Sequence, residues 1–171
     1  KTMKLFTFVL AAALCTPAFA QISGSANRNP PEIKQSITTG GATISLDYKS
    51  VVWGNTIAMA MDKDKGAETR TMINGLAKTK PLGTFTTSTD VACGDLKLAA
   101  GEYKVSFTID DKAAWQINFT GKDDKAATMA LPLNDTNEES KQLLLCLYAG
   151  DNKTAGVYVA MGKKMGFLSI A

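Results

Sequence analysis

The chain has 171 residues, with 19 Lys or Arg, 16 Asp or Glu and no His. Histidine is the usual base for a hydroxyl or thiol nucleophile and the commonest metal ligand, so its absence excludes Ser-His-Asp triads and histidine-ligated zinc or iron. The near-balance of charge, with no basic stripe interleaved with aromatics, argues against a nucleic-acid partner.

The first residues read as an address. Lys1 and Lys4 precede an apolar run, Leu5 to Leu14, and Ala18-Phe19-Ala20 is a small-x-small sequence before Gln21. That order is the pattern of a cleaved export signal, so residues 1–20 are expected to be removed. A membrane span needs about 20 apolar residues, roughly twice this run. Cys15 follows Leu14 instead of a small residue, which argues against lipid attachment. Loss of Lys1 and Lys4 leaves 17 of the 19 basic residues against 16 acidic ones. The pI of about 8.7 therefore belongs partly to the discarded segment. The expected location is periplasmic or secreted, with no membrane span after cleavage.

Residues 21–31, including Ser-Gly-Ser-Ala-Asn-Arg-Asn-Pro-Pro, have the composition of a flexible lead-in, and a single domain is expected over residues 32–171. From there the hydrophobic period is two. Ala42, Ile44, Leu46 and Tyr48 alternate with Thr43, Ser45 and Asp47. The alternation returns at Lys104 to Ile109, at Trp115 to Thr120, and at Met129, Leu131 and Leu133. Each is the pattern of a half-buried strand. Gly40-Gly41, Ala99-Ala100-Gly101, Asp110-Asp111, Gly121 to Asp124, Gly150-Asp151-Asn152 and Gly162-Lys163-Lys164 supply the turns. The last third reads as a meander of Gln142 to Tyr148, Ala155 to Met161 and Met165 to Ile170. The fold class expected is all-β, an antiparallel sandwich or flattened barrel of about seven to nine strands.

Three segments depart from that rhythm. Leu143 to Leu147 is continuously apolar and is expected to be covered on both faces. Val51 to Lys80 mixes strand and helix signals, with room for one short helix. Asp135 to Gln142 is rich in solvating side chains and reads as a surface loop or one helical turn.

Few residues suggest chemistry. Asp62-Lys-Asp64-Lys-Gly66 superficially resembles a calcium loop, but glycine occupies a ligand position and lysines separate the acids, so a solvated turn is expected and no metal. The other acids, such as Asp110-Asp111 and Asp123-Asp124, lie in turns beside lysines. No carboxylate pair is marked for glycoside chemistry, no phosphate-cradling Gly-rich motif occurs, and neither catalytic residues nor a cofactor is expected. Trp115 and Phe119 share a face with Ile117 and are expected in the core. Trp53, beside Gly54 and Asn55, is the candidate exposed aromatic of a ligand site, with Tyr48 as its companion. Cys93 and Cys146 would enter an oxidising compartment. A bridge between them would close a loop of about 50 residues and contribute about 4 kcal/mol. The alternative is that Cys146 is a small buried hydrophobe. Asn118, Asn134 and Asn152 begin glycosylation sequons, Asn118 awkwardly within a strand.

Gly83-Thr-Phe85 through Asp90-Val, Leu96-Lys-Leu98-Ala-Ala-Gly101-Glu-Tyr103, Phe107-Thr-Ile109 and Trp115-Gln-Ile117-Asn-Phe119 together resemble the DUF2911 family of bacterial secreted proteins of unknown function. Pro30-Pro31-Glu-Ile33-Lys-Gln35 and Thr43 to Tyr48 are similar to that family's opening strands. The resemblance spans most of Pro30 to Ile170 and is specific in Thr84 to Phe119. It implies an exported β-sandwich. The family's Arg-Pro-x-x-x-Gly-Arg and Val-Trp-Arg-x-Gly-Ala-Asn stretches are missing at Lys49 to Gly54 and Met72 to Lys78, so the resemblance transfers no catalytic residue. The functional expectation is a non-enzymatic module binding an envelope protein or a small ligand. A self-assembling surface protein and a carboxylate-dependent hydrolase are the alternatives.

Overall fold

The computed structural model describes residues 30–150 and 154–171. Residues 1–20, expected to be an export signal, residues 21–29 of the expected lead-in and Asp151 to Lys153 lie outside the described residues. The structure is an antiparallel sandwich of two open sheets. The first contains β1 (Glu32–Thr39), β2 (Ala42–Lys49), β3 (Gly83–Thr87), β6 (Gly101–Ile109), β7 (Trp115–Thr120) and β8 (Ala126–Ala130), in that spatial order. The second has the order β5 (Leu96–Leu98), β4 (Val91–Cys93), β10 (Ala155–Ile170), β9 (Leu133–Ala149).

The period-two positions form the core between the sheets. Ile44, Leu46 and Tyr48 of β2, Phe85 of β3, Val105, Phe107 and Ile109 of β6, and Trp115, Ile117 and Phe119 of β7 are buried. Leu143, Leu145 and Leu147 of β9 and Val157, Val159, Leu168 and Ile170 of β10 meet them from the second sheet. Phe85 and Phe119 pack edge to face at 5.4 Å, and Phe107 and Trp115 do so at 6.2 Å. A gap of about 10 Å³ is left among these apolar side chains, the volume of one water and too small for a ligand. The β1–β2 hairpin turns on Gly40 and Gly41, whose φ of 57° and 82° suit a two-residue turn with both central residues left-handed.

Four expectations need correction. Gly162-Lys163-Lys164 is not a turn between two strands: Ala155–Ile170 runs as the single strand β10, with register shifts against β9 between Ala160 and Gly162 and between Gly162 and Lys164. Asp135 to Gln142 is not a loop but the first half of β9, paired with β10 through Lys164 to Asp135 and Met165 to Asn134, with a 2.7 Å ion pair between Lys164 and Asp135. Its polar composition reflects a stretch that largely faces solvent. Leu143 to Leu147 is covered on one face only: Leu143, Leu145 and Leu147 are buried, whereas Cys146 is exposed and Leu144 is 42% exposed. Val51 to Lys80 yields two helices, α1 (Asn55–Ala60) and α2 (Ala67–Thr79). Among the described residues no helix is long and apolar enough to cross a membrane.

Strand β9 forms one border of its sheet, and residues around β1 and β2 complete its open hydrogen-bonding groups. Ser50 Oγ donates to Leu143 O at 2.7 Å, and Leu143 N donates to Val51 O at 2.8 Å. Leu145 N donates to the Tyr48 hydroxyl at 3.0 Å. The Gln35 carboxamide donates through Nε2 to Leu145 O and accepts from Leu147 N at 2.8 Å. Trp53 N reaches Lys141 O at 2.9 Å. Along an antiparallel strand every second residue turns its N–H and C=O to the same side, so residues 143, 145 and 147 present the open groups, and these are met in turn.

Burial of Tyr48 raises its phenol pKa above the ordinary 10.0, outweighing the lowering by the Leu145 N–H. Burial also pushes the Cys93 thiol from 9.0 up to about 11. Unfolding lets both groups ionise at their ordinary pKa, so the unfolded chain gains as pH rises. Stability measured by urea unfolding is expected to fall between pH 9 and about 11, and Cys93→Ala to remove the first part of that fall. Tyr48→Phe is expected to cost about 1–3 kcal/mol at neutral pH, because the buried Leu145 N–H loses its acceptor.

Candidate functional site

The residues singled out from sequence do not come together as a site. Tyr48 is 1% exposed and its hydroxyl is committed to Leu145, so it seals the sandwich and is not available to a ligand. Trp53 is half-buried and packs on the core margin, its indole lying over Gly162 of β10. Gly162 has φ of +59°, and a Cβ there would lie 2.6 Å from the indole ring. Its left-handed backbone and missing side chain make the seat in which the tryptophan lies.

Cys93 and Cys146 are free thiols. Cys93 is fully buried and points inward, whereas Cys146 sits between the inward-facing Leu145 and Leu147 and points out. The bridge considered from spacing is not formed, and the alternative of a buried Cys146 is also corrected, both by the same alternation of the strand. Asn118 is 7% exposed and lies inside a hydrogen-bond network, which explains its awkwardness as a sequon.

The Asp62 to Gly66 segment is a loop built around an internal cation. The Arg70 guanidinium, on a residue 6% exposed, donates to Ala60 O at 3.0 Å, Asp62 O at 2.8 Å and Lys63 O at 3.4 Å. Three main-chain oxygens of this segment are thus taken up by a side chain of the protein itself. The Asp62 carboxylate accepts the N–H groups of Asp64 and Lys65 at 2.9 and 3.0 Å, and these bonds lower its pKa. Among the described residues no cluster of three or more His, Cys, Asp or Glu could hold a metal ion.

A different surface has the shape of a site. Helix α2 lies against the outer face of β6, where the Asn74 carboxamide donates to Ile109 O at 2.8 Å and accepts from Ile109 N at 2.9 Å. The helix and Pro81 rise over one side of β6, β7 and β8 and leave a groove of about 520 Å³. Ala77, Lys78 and Pro81 form its wall. Its floor is made of the outward residues of three strands in register. Ser106, Asn118 and Thr128 form one cross-strand row, and Lys104, Thr120 and Ala126 the next.

The floor is an ordered polar network. Thr128 Oγ1 donates to Asn118 Oδ1 at 2.7 Å, and Asn118 Nδ2 donates to Thr108 Oγ1 at 3.1 Å and to Ser106 O at 3.3 Å. Thr108 Oγ1 donates in turn to Gln116 at 3.3 Å. Lys104 pairs loosely with Asp124 at 3.7 Å, both side chains being largely exposed. Asp124 is the one carboxylate among the lining residues.

These residues were passed over in the sequence because each is an ordinary polar alternate of a half-buried strand. Register places them in rows, and α2 makes the face concave. Their only separate trace is that the outward positions of β6 to β8 favour Ser, Thr and Asn over long charged side chains, which is weak because threonine is common in strands.

Comparison with protein-family models, with curated proteins and with solved structures finds no match to this chain.

The two thiols should separate by reactivity. Ellman's reagent is expected to modify Cys146 in the native protein within minutes, and Cys93 only after denaturation, because the thiolate is the reactive form and Cys93 is both buried and held protonated. Peptide mapping after labelling assigns the sites.

Proposed function

We propose that this chain is an exported, non-enzymatic β-sandwich that binds a small polar ligand in the groove between α2 and the outer face of β6, β7 and β8. The observation that carries this reading is the groove itself: about 520 Å³, with an ordered floor of hydroxyl and carboxamide groups. Small-molecule sites occupy roughly 300–1,000 Å³ and use a few fixed polar groups for orientation. A non-enzymatic role is supported by the lack of histidine and by a single lining carboxylate, where general acid–base work on a glycoside needs two. Export rests on the pattern of residues 1–20, and the resemblance to secreted DUF2911 proteins agrees with it.

A specific observation favours a second reading, self-association. The outward face of β9 and β10 carries Leu144, Tyr148 and Phe167, which are 42%, 38% and 55% exposed, with Phe167 in ring contact with Tyr148 at 6.4 Å and Tyr158 at 5.1 Å. Grouped aromatics of this kind are the residues that contribute most at protein contacts. Sedimentation that shows a monomer at all concentrations, unaltered by Phe167→Ser, removes this second reading.

Groove binding is tested by screening a set of small polar fragments against isotope-labelled protein. Binders are expected to shift the amides of Lys104 to Thr108, Gln116 to Thr120 and Ala126 to Thr128. Ala126→Trp, which places an indole over the floor from an exposed position, is expected to abolish those shifts in a folded protein. Shifts confined to other surfaces, or untouched by the substitution, would count against the reading. N-terminal sequencing of protein recovered outside the cytoplasm is expected to begin at Gln21.

A further inference from the structure

The groove's lining discriminates between classes of polar ligand. No aromatic side chain lines it, so the stacking by which neutral sugars and bases are commonly held is not on offer there. Two lysines, Lys78 and Lys104, face a single acid, Asp124. Resting on the reading of the groove as a ligand site, we propose that it takes an oxyanion, a carboxylate or phosphate carried on a small hydroxylated molecule, with the anion received by Lys104 and Lys78 and the hydroxyls by Ser106 and Thr120.

Ser106 lies at the middle of the floor. The residue is 8% exposed, its carbonyl accepts from Asn118, and its side chain lines the groove. The open side of Ser106 is the groove. Asn118, beside it in the row, is saturated by Thr108, Thr128 and the Ser106 carbonyl, and holds the floor in place.

Asp124 completes the argument. It stands at the mouth of the groove in the turn after β7, with φ of 55°, and offers Lys104 a counter-ion at 3.7 Å that is too exposed to hold it firmly. A ligand oxyanion takes the place of this carboxylate, so Asp124 competes with an anionic ligand and is indifferent to a neutral one.

Matched pairs test this: D-gluconate against D-glucose, and glycerol 3-phosphate against glycerol, each titrated by calorimetry and followed at the groove amides by NMR. The charged member of at least one pair is expected to bind about tenfold or more tightly than its neutral partner, and to weaken as salt is added. Lys104→Gln is expected to weaken that binding about tenfold, and Ser106→Ala to weaken it less. Asp124→Asn is expected to strengthen it a few-fold, and asparagine tolerates the left-handed backbone at that turn. The gluconate and phosphate arms identify which oxyanion is preferred. Equal binding of charged and neutral members at the groove overturns the oxyanion and leaves the groove as a ligand site. Binding of a charged member that ignores both Lys104→Gln and Asp124→Asn also overturns it. So does the absence of groove shifts from all four compounds at about 10 mM, a case in which the fragment screen judges the groove separately.

Discussion

The sandwich depends on how the border of β9 is closed. Two open sheets have four edges, and an edge strand with unsatisfied N–H and C=O groups beside a core costs free energy and invites other strands. Here the open groups of Leu143, Leu145 and Leu147 are met by a hydroxyl, a phenol and a carboxamide from Ser50, Tyr48 and Gln35. The seam joins the two sheets by side-chain-to-main-chain bonds where no shared strand does. It fixes the register of β9 against the β1–β2 hairpin and holds the segment from Val51 to Trp53 that leads into the helices.

From that anchored lead-in the two helices take their positions by side-chain bonds to main-chain groups together with apolar packing of Ile57, Ala60, Met61 and Ile73 on the core. Arg70 gathers the carbonyls of Ala60, Asp62 and Lys63, which sets the angle between α1 and α2. Asn74 then binds both main-chain groups of Ile109 as a neighbouring strand would, at a point where β6 has run past the end of β3. The C-terminal end of α2, with Ala77 and Lys78, stands beside the outward rows of β6, β7 and β8 and makes that polar strand face concave.

Alternation made much of the sheet framework legible in the residues themselves. Ile44, Leu46 and Tyr48, or Trp115, Ile117 and Phe119, could face only one way, and Gly40-Gly41 could only turn. Tyr48 was legible as an inward position yet was read as a ligand companion, because its hydroxyl partner, Leu145, lies 97 residues away. Asp135 to Gln142 misled because strand character there comes from pairing with β10, a non-local cause that overrides local composition. The groove was illegible for the same reason: Ser106, Asn118 and Thr128 become neighbours through register across three strands.

Closing a border with individual side chains has an evolutionary side. A strand cover is lost only by unfolding, but this seam is distributed over a few separate codons, Gln35, Tyr48 and Ser50 among them. A single nucleotide change at one of them bares part of a long ribbon whose neighbouring surface already carries Leu144 and Tyr148. Substitution at these positions would leave part of that ribbon open to pairing with a further strand.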